Sequence, residues 1–121
     1  MNHCEFAIKL ATNRSTHATF KHGAVLIKGK EVVSFGFNNQ RHHAEVKAIL
    51  GCMRMSNKRY MRKCILLVVR HNMGNSKQCA RCLKMIRDCG IKKIYYSCDR
   101  TLVRAHSSRI QTSHLSARYR K

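Results

Sequence analysis

Proline is absent from this chain of 121 residues, and only 5 side chains are acidic against 25 Lys and Arg. Without proline, turns must be read from Gly, Asn, Asp and Ser alone. No apolar stretch is long enough for a membrane-spanning helix, and the start Met1-Asn2-His3-Cys4-Glu5 lacks the basic and apolar regions of a secretory signal. The cysteines number seven, an odd count that does not suit a disulfide framework. The expectation is a reduced cytoplasmic or nuclear protein with no membrane partner, in which a close cysteine pair is a metal or redox site.

What is present suits one compact domain over 1–121, with a core over about 1–98 and a basic tail over 99–121. Hydrophobic residues make up 44%, enough for folding rather than disorder. The net charge of +20 is uneven: residues 1–50 carry 7 Lys/Arg and 3 Asp/Glu, whereas residues 51–121 carry 18 and 2. A field of one sign on so small a body gathers polyanions, so nucleotide phosphate or nucleic acid is the expected partner. The plainer alternative is a solvated basic surface, although excess positive charge also opposes folding by self-repulsion.

Cys4, Ala7, Ile8 and Ala11 share one face of a helix over 3–13, with Phe6 and Leu10 adjacent. Ala24-Val25-Leu26-Ile27 and Val32-Val33-Ser34-Phe35-Gly36-Phe37, on either side of Lys28-Gly29-Lys30, read as a β-hairpin. A helix over 44–55 is expected to set Val46, Ile49, Leu50 and Met53 against a sheet. The continuous run from Cys64 to Val69 reads as a central strand covered on both faces. Cys82, Ile86 and Cys89 share a face of a third helix that Gly90 ends, and Ile91 to Ser97 reads as a further strand. Strand-to-helix alternation in the second half requires parallel neighbours, so the fold class is α/β, a layered sandwich. From Asp99 the pattern fades, leaving a terminal helix, a last strand and a basic arm all open.

Cys79-Ala80-Arg81-Cys82 places two thiols at i and i+3 across the first turn of the third helix, where amide N–H groups favour the thiolates that zinc requires. His43-Ala44-Glu45 opens the second helix. The starts of neighbouring helices in such a fold lie at one edge of the sheet, so His43, Cys79 and Cys82 are expected to converge on one Zn2+. Three protein ligands leave the fourth tetrahedral position open, as in catalytic rather than closed structural zinc sites. Glu45, two residues from a ligand, is placed to accept a proton from water there. His3-Cys4-Glu5 repeats half of the pattern, but no strand precedes it.

These residues resemble the signature of the cytidine and deoxycytidylate deaminase superfamily, H-x-E followed by P-C-x-x-C. The resemblance runs from about Gly23 to Ser97: Gly36-Phe37-Asn38 matches a G-x-N segment, and His43-Ala44-Glu45, Cys79-Ala80-Arg81-Cys82 and a strand near Ile94 follow. It implies a three-layer α/β/α sandwich with a mixed central sheet. The implied activity is zinc-dependent hydrolysis of an amino-nucleobase with release of ammonia. Attack falls at C4 of cytosine or C6 of adenine, and Glu45 shuttles the protons. Asn38 would hydrogen-bond the substrate sugar or base, Ala44 and Cys79 would offer backbone contacts, and the protein would form a homo-oligomer. The segments around Gly36 and Ile94 favour cytosine. Gln78 departs from the signature where proline is usual, which should cost at most about 1 kcal/mol of preorganisation.

Each residue also has a plainer reading. Glu45 would only favour the positive end of a helix, Asn38 would be a turn residue, and His42 would be a solvated neighbour or a fourth ligand that closes the site. Cys4, Cys52, Cys64, Cys89 and Cys98 are expected as small core residues. The substrate is either a free nucleotide or a base in single-stranded or looped nucleic acid. A nucleic acid would be steered by Lys58, Arg59, Arg62, Lys63, Arg118, Arg120 and Lys121, with Tyr95 and Tyr96 as stacking or packing residues. The rival functions are an adenosine deaminase acting on transfer RNA, a catalytically inactive nucleic-acid-binding module stapled by zinc, and a metal-free protein with Cys79 and Cys82 as a redox pair.

Overall fold

The computed structural model describes residues 2–15, 21–39, 43–53, 61–76 and 80–108. Helix α1 (His3–Asn13) begins at Asn2, whose side chain accepts from the Glu5 amide at 2.7 Å and so satisfies a first-turn N–H. Strands β1 (His22–Lys28) and β2 (Glu31–Phe37) form an antiparallel hairpin across Gly29-Lys30, with Gly29 at φ +63°. Helix α2 (Ala44–Met53), strand β3 (Ile65–Arg70), helix α3 (Ala80–Asp88) and strands β4 (Lys93–Cys98) and β5 (Thr101–His106) follow.

The sheet order is β2-β1-β3-β4-β5. β3 and β4 are parallel across the α3 connection, and the other neighbouring pairs are antiparallel, so the sheet is mixed. Strand alternation divides the interior into two cores. Ala24, Leu26, Leu66 and Val68 pack with Ala48, Ile49, Leu83 and Ile86 of α2 and α3. Val25, Ile27, Leu67 and Val69 pack with Ala7 and Leu10 of α1 on the opposite face. The result is the expected α/β/α sandwich, with β3 central and covered on both sides. No helix among the described residues is long and apolar enough to cross a membrane.

Gly90 ends α3 at φ +87°, with Ile91 N donating to Ile86 O at 3.3 Å and Gly90 N to Arg87 O at 3.0 Å, the paired bonds of a Schellman cap. β4 begins at Lys93 rather than Ile91, because that cap consumes Ile91. The open choice after Asp99 resolves over Thr101–His106 as a last strand. Its hairpin turn, Asp99-Arg100, holds both residues at positive φ, 48° and 67°, without the glycine that would have marked it. Residues 109–121 lie outside the described residues.

The buried face of α2 includes Ile49 as expected but otherwise differs from expectation. Ala44, Glu45, Ala48, Ile49 and Cys52 are buried, whereas Leu50 is 40% and Met53 49% exposed. The reason is close approach to β2: a Cβ on Gly36 would overlap the Ala44 carbonyl oxygen and come within 2.7 Å of Ala48 N. The alanine face is the one that fits over a bare glycine, and it turns the bulkier Leu50 and Met53 outward.

Candidate active site

β1 is antiparallel to both β2 and β3, so those two strands run in the same direction. The segments leaving them, one into α2 and one into α3, emerge at the same sheet edge. His43 immediately precedes α2, its carbonyl accepting from Lys47 N at 3.3 Å, and Cys82 lies in the first turn of α3. His43 Nδ1 sits 2.9 Å from Cys82 Sγ, and Glu45 Oε1 sits 4.0 Å from His43 Nδ1. The three ligand-type atoms all lie within 4.8 Å of one another. Cys82 and Glu45 are buried and His43 is half-buried.

This donor set fits zinc. Nitrogen and sulfur ligands on one tetrahedral zinc ion lie about 3.5 Å apart, so an opening of roughly half an ångström between His43 and Cys82 admits the ion. Imidazole and thiolate are ligands that zinc takes, and two helix N-termini directed at the same point stabilise the anionic sulfur. Cys79 lies outside the described residues, as do His42, Gln78, Lys58, Arg59, Arg118, Arg120 and Lys121.

Asn38 follows β2 at this edge and is buried. Its Oδ1 accepts from Ser15 Oγ at 2.5 Å and from the His22 amide at 2.8 Å, while its own N–H donates to His22 O at 3.2 Å. These bonds fix the orientation of the side-chain amide. Ser15 and His22, 23 and 16 positions away, carry no sequence signal for that support. Ala44, fully buried, opens α2 over Gly36.

The loop from β3 toward α3 is anchored by two serines that the sequence patterns did not single out. Ser97 Oγ donates to Gly74 O at 2.6 Å and accepts from Arg70 N at 3.0 Å. Ser76 Oγ lies 2.8 Å from both Val68 O and Ser97 Oγ. Both serines are buried, so each lost bond would leave backbone groups unsatisfied. The network ties the approach to α3, and hence to Cys82, to the ends of two neighbouring strands.

Cys52, Cys64 and Cys89 are buried as expected, but Cys4 and Cys98 are only half-buried, being near the start of α1 and the end of β4. Burial pushes the Cys64 thiol up to about 11, with the neighbouring Cys52 adding to the rise and Lys28 opposing it. The Cys52 thiol is also raised, chiefly by burial. Neither behaves as a nucleophile or ready metal ligand at neutral pH.

No curated relative matches the sequence. Among solved structures, a cytidine deaminase from Burkholderia pseudomallei superposes with a TM-score of 0.73 at 17% identity, over 95% of this chain and 100% of that one. A diaminohydroxyphosphoribosylaminopyrimidine deaminase/5-amino-6-(5-phosphoribosylamino)uracil reductase from Thermotoga maritima gives 0.60 at 23% identity, over 77% of this chain and 27% of that one. A dCMP deaminase from the cyanophage S-TIM5 gives 0.56 at 23% identity, over 76% and 79%. These likenesses establish the fold. Residues 1–98 match the family described as the cytidine and deoxycytidylate deaminase zinc-binding region, and the chain therefore belongs to that family as a zinc-dependent hydrolytic deaminase.

Proposed function

We propose that the protein converts a cytosine to uracil, in a nucleotide or a nucleic acid, with His43, Cys79 and Cys82 as zinc ligands and Glu45 as the proton carrier. The observation that carries this reading is the meeting of the His43 imidazole, the Cys82 thiol and the Glu45 carboxylate within 4.8 Å. Cys79, one position before the first residue of α3, supplies the third ligand. Zinc, when bound, supplies Lewis acidity that lowers the pKa of a coordinated water toward neutrality. The cytidine and dCMP deaminases among the solved relatives support cytosine.

Glu45 does the proton work. Its carboxylate takes a proton from water and delivers it to the ring nitrogen beside the reacting carbon, then takes the second proton from the hydroxyl now on that carbon and passes it to the amine as the C–N bond breaks, so that water and an amino-pyrimidine become a carbonyl and ammonia. Its burial in the first turn of α2 holds the carboxylate near the ligands and away from bulk solvent. The Asn38 amide, held by Ser15 and His22, hydrogen-bonds the sugar or base, and the backbone at Ala44 contacts the base. One domain over residues 1–121 carries all of these groups. The exposed apolar side chains of Leu50 and Met53 support assembly into a homo-oligomer.

The test is ammonia release and base conversion by zinc-loaded protein on cytidine, deoxycytidylate, single-stranded DNA and transfer RNA. Glu45→Gln is expected to keep its zinc while turnover falls by roughly 10²- to 10⁴-fold. Full activity in a zinc-loaded Glu45→Gln sample would remove Glu45 from this role.

A further inference from the structure

Basic residues gather at the end of the sheet opposite the site. β1 runs away from the site and ends at Lys28, and β3 and β4 both start at that far end. Lys28 ends β1 and Lys30 lies in the β1–β2 turn, Arg62 and Lys63 precede β3, Lys92 precedes β4 and Lys93 begins it. All but the half-buried Lys28 are exposed. Pairing of Ile27 with Ile65, and of Ile65 with Lys93, sets the three segments side by side. Neighbouring strands are about 4.8 Å apart, so the six positions lie within roughly 10 Å of sheet width, Lys28 on the face of Leu26 and Lys93 on the opposite face with Tyr95. The acids at this end among the described residues are Glu5, in the first turn of α1 whose His3 meets the Lys30 carbonyl, Glu31, the cross-strand partner of Lys28, and Asp88, which is in an ion pair with Lys84 at 3.0 Å.

Such crowding opposes folding by self-repulsion and is relieved by a polyanion. Arg62 is also positioned: a Cβ on Gly90 would come within 2.8 Å of its Cγ, so its stem lies against the α3 cap while its exposed head group faces solvent. The length of β1, 7 residues at about 3.3 Å each, separates this edge from the His43–Cys82 edge by about 20 Å. A single nucleotide cannot span that distance. At about 3.4 Å per nucleotide of stacked strand, about six nucleotides do.

We propose that the basic edge formed by Lys28, Lys30, Arg62, Lys63, Lys92 and Lys93 binds the sugar–phosphate backbone of a single-stranded nucleic acid whose target base enters the distant site. The polymer is assigned as substrate, which rests on the deaminase reading, while the docking surface stands on placement and charge alone.

The experiment uses the full zinc-loaded chain and a fluorescent single-stranded oligonucleotide of about 15 nucleotides containing cytosine. Binding is measured against salt for the native protein, Lys63→Gln/Lys93→Gln and Lys63→Glu/Lys93→Glu, with circular dichroism to establish folding. Each lost phosphate contact lowers the salt slope by about 0.7, which at about 0.15 M salt is about 4-fold in affinity, or about 14-fold for the pair. The Gln pair is therefore expected to bind about 14-fold more weakly, and the Glu pair more weakly still. Both should deaminate the oligonucleotide less efficiently while keeping native turnover of free deoxycytidylate. Unchanged affinity and slope in both folded variants would overturn the proposal. So would retention of the edge variants' sensitivity only on phosphatidylserine vesicles, which would make a membrane the partner. A protein that deaminates nothing yet loses oligonucleotide affinity as expected would keep the docking surface and defeat the deaminase reading instead.

Discussion

Gly36→Ala tests whether the seat of α2 sets the geometry of the metal site. The added Cβ would overlap the Ala44 carbonyl and lie 2.7 Å from both Ala48 N and Lys47 Cβ. Ordinary contact needs about 3.5 Å, so the helix must retreat by roughly 1 Å or the strand must bend. Two of the three obstructing atoms, Ala44 O and Ala48 N, are backbone, which puts the cost at the upper end of overpacking, about 3 kcal/mol, or about 10 °C in Tm. The same retreat carries His43 and Glu45 away from Cys82, which α3 holds. Ligand distances tolerate only about 0.2 Å, so zinc affinity should fall roughly 10- to 100-fold. Gly23→Ala is the internal control. Its Cβ would overlap the Ala7 carbonyl and lie 3.0 Å from Ala11 N, disturbing α1 on the opposite face. It should cost comparable stability and leave zinc affinity near native. Chelator competition alongside thermal unfolding reads both quantities. Equal zinc affinity in the two variants at equal loss of Tm would refute the claim that the Gly36 contact positions the ligands.

Stability should also fall in alkali through Cys64. Its folded-state pKa is raised from 9.0 to about 11, so its contribution is full below pH 9 and is lost as pH rises through 11. Thermal melts from pH 8 to 11 should show that slope, and Cys64→Ala should flatten it. If self-assembly uses the outer face of α2, Leu50→Glu with Met53→Glu should lower the mass measured by light scattering without lowering Tm, since both side chains are already exposed. An unchanged mass would exclude that face.

Most of the element order was legible because its signals are local. The run Cys64–Val69 reads as a strand covered on two faces and forms β3 over Ile65–Arg70, and Gly90 ends α3 as a C-cap glycine does. The bearing of α2 was not legible, because Val46, Leu50 and Met53 form as good an apolar stripe as the face that is buried. The choice between the two is made by Gly36, on another element. β5 was hidden for a related reason: Asp99-Arg100 turns the chain at positive φ with no glycine to announce it, and pairing with β4 supplies the compensation.

Sequence alone determined the family and the chemistry of the candidate ligands, since a histidine two before a glutamate and two cysteines three apart are properties of residue type and spacing. Tertiary structure decided that His43 and Cys82, 39 positions apart, approach to 2.9 Å, and that Ser15 and His22 hold Asn38 in place. It also gathered Arg62, Lys63, Lys92 and Lys93 with the hairpin lysines at the far edge. Spacing along a chain encodes which groups are present, but strand direction and register decide which of them share an edge.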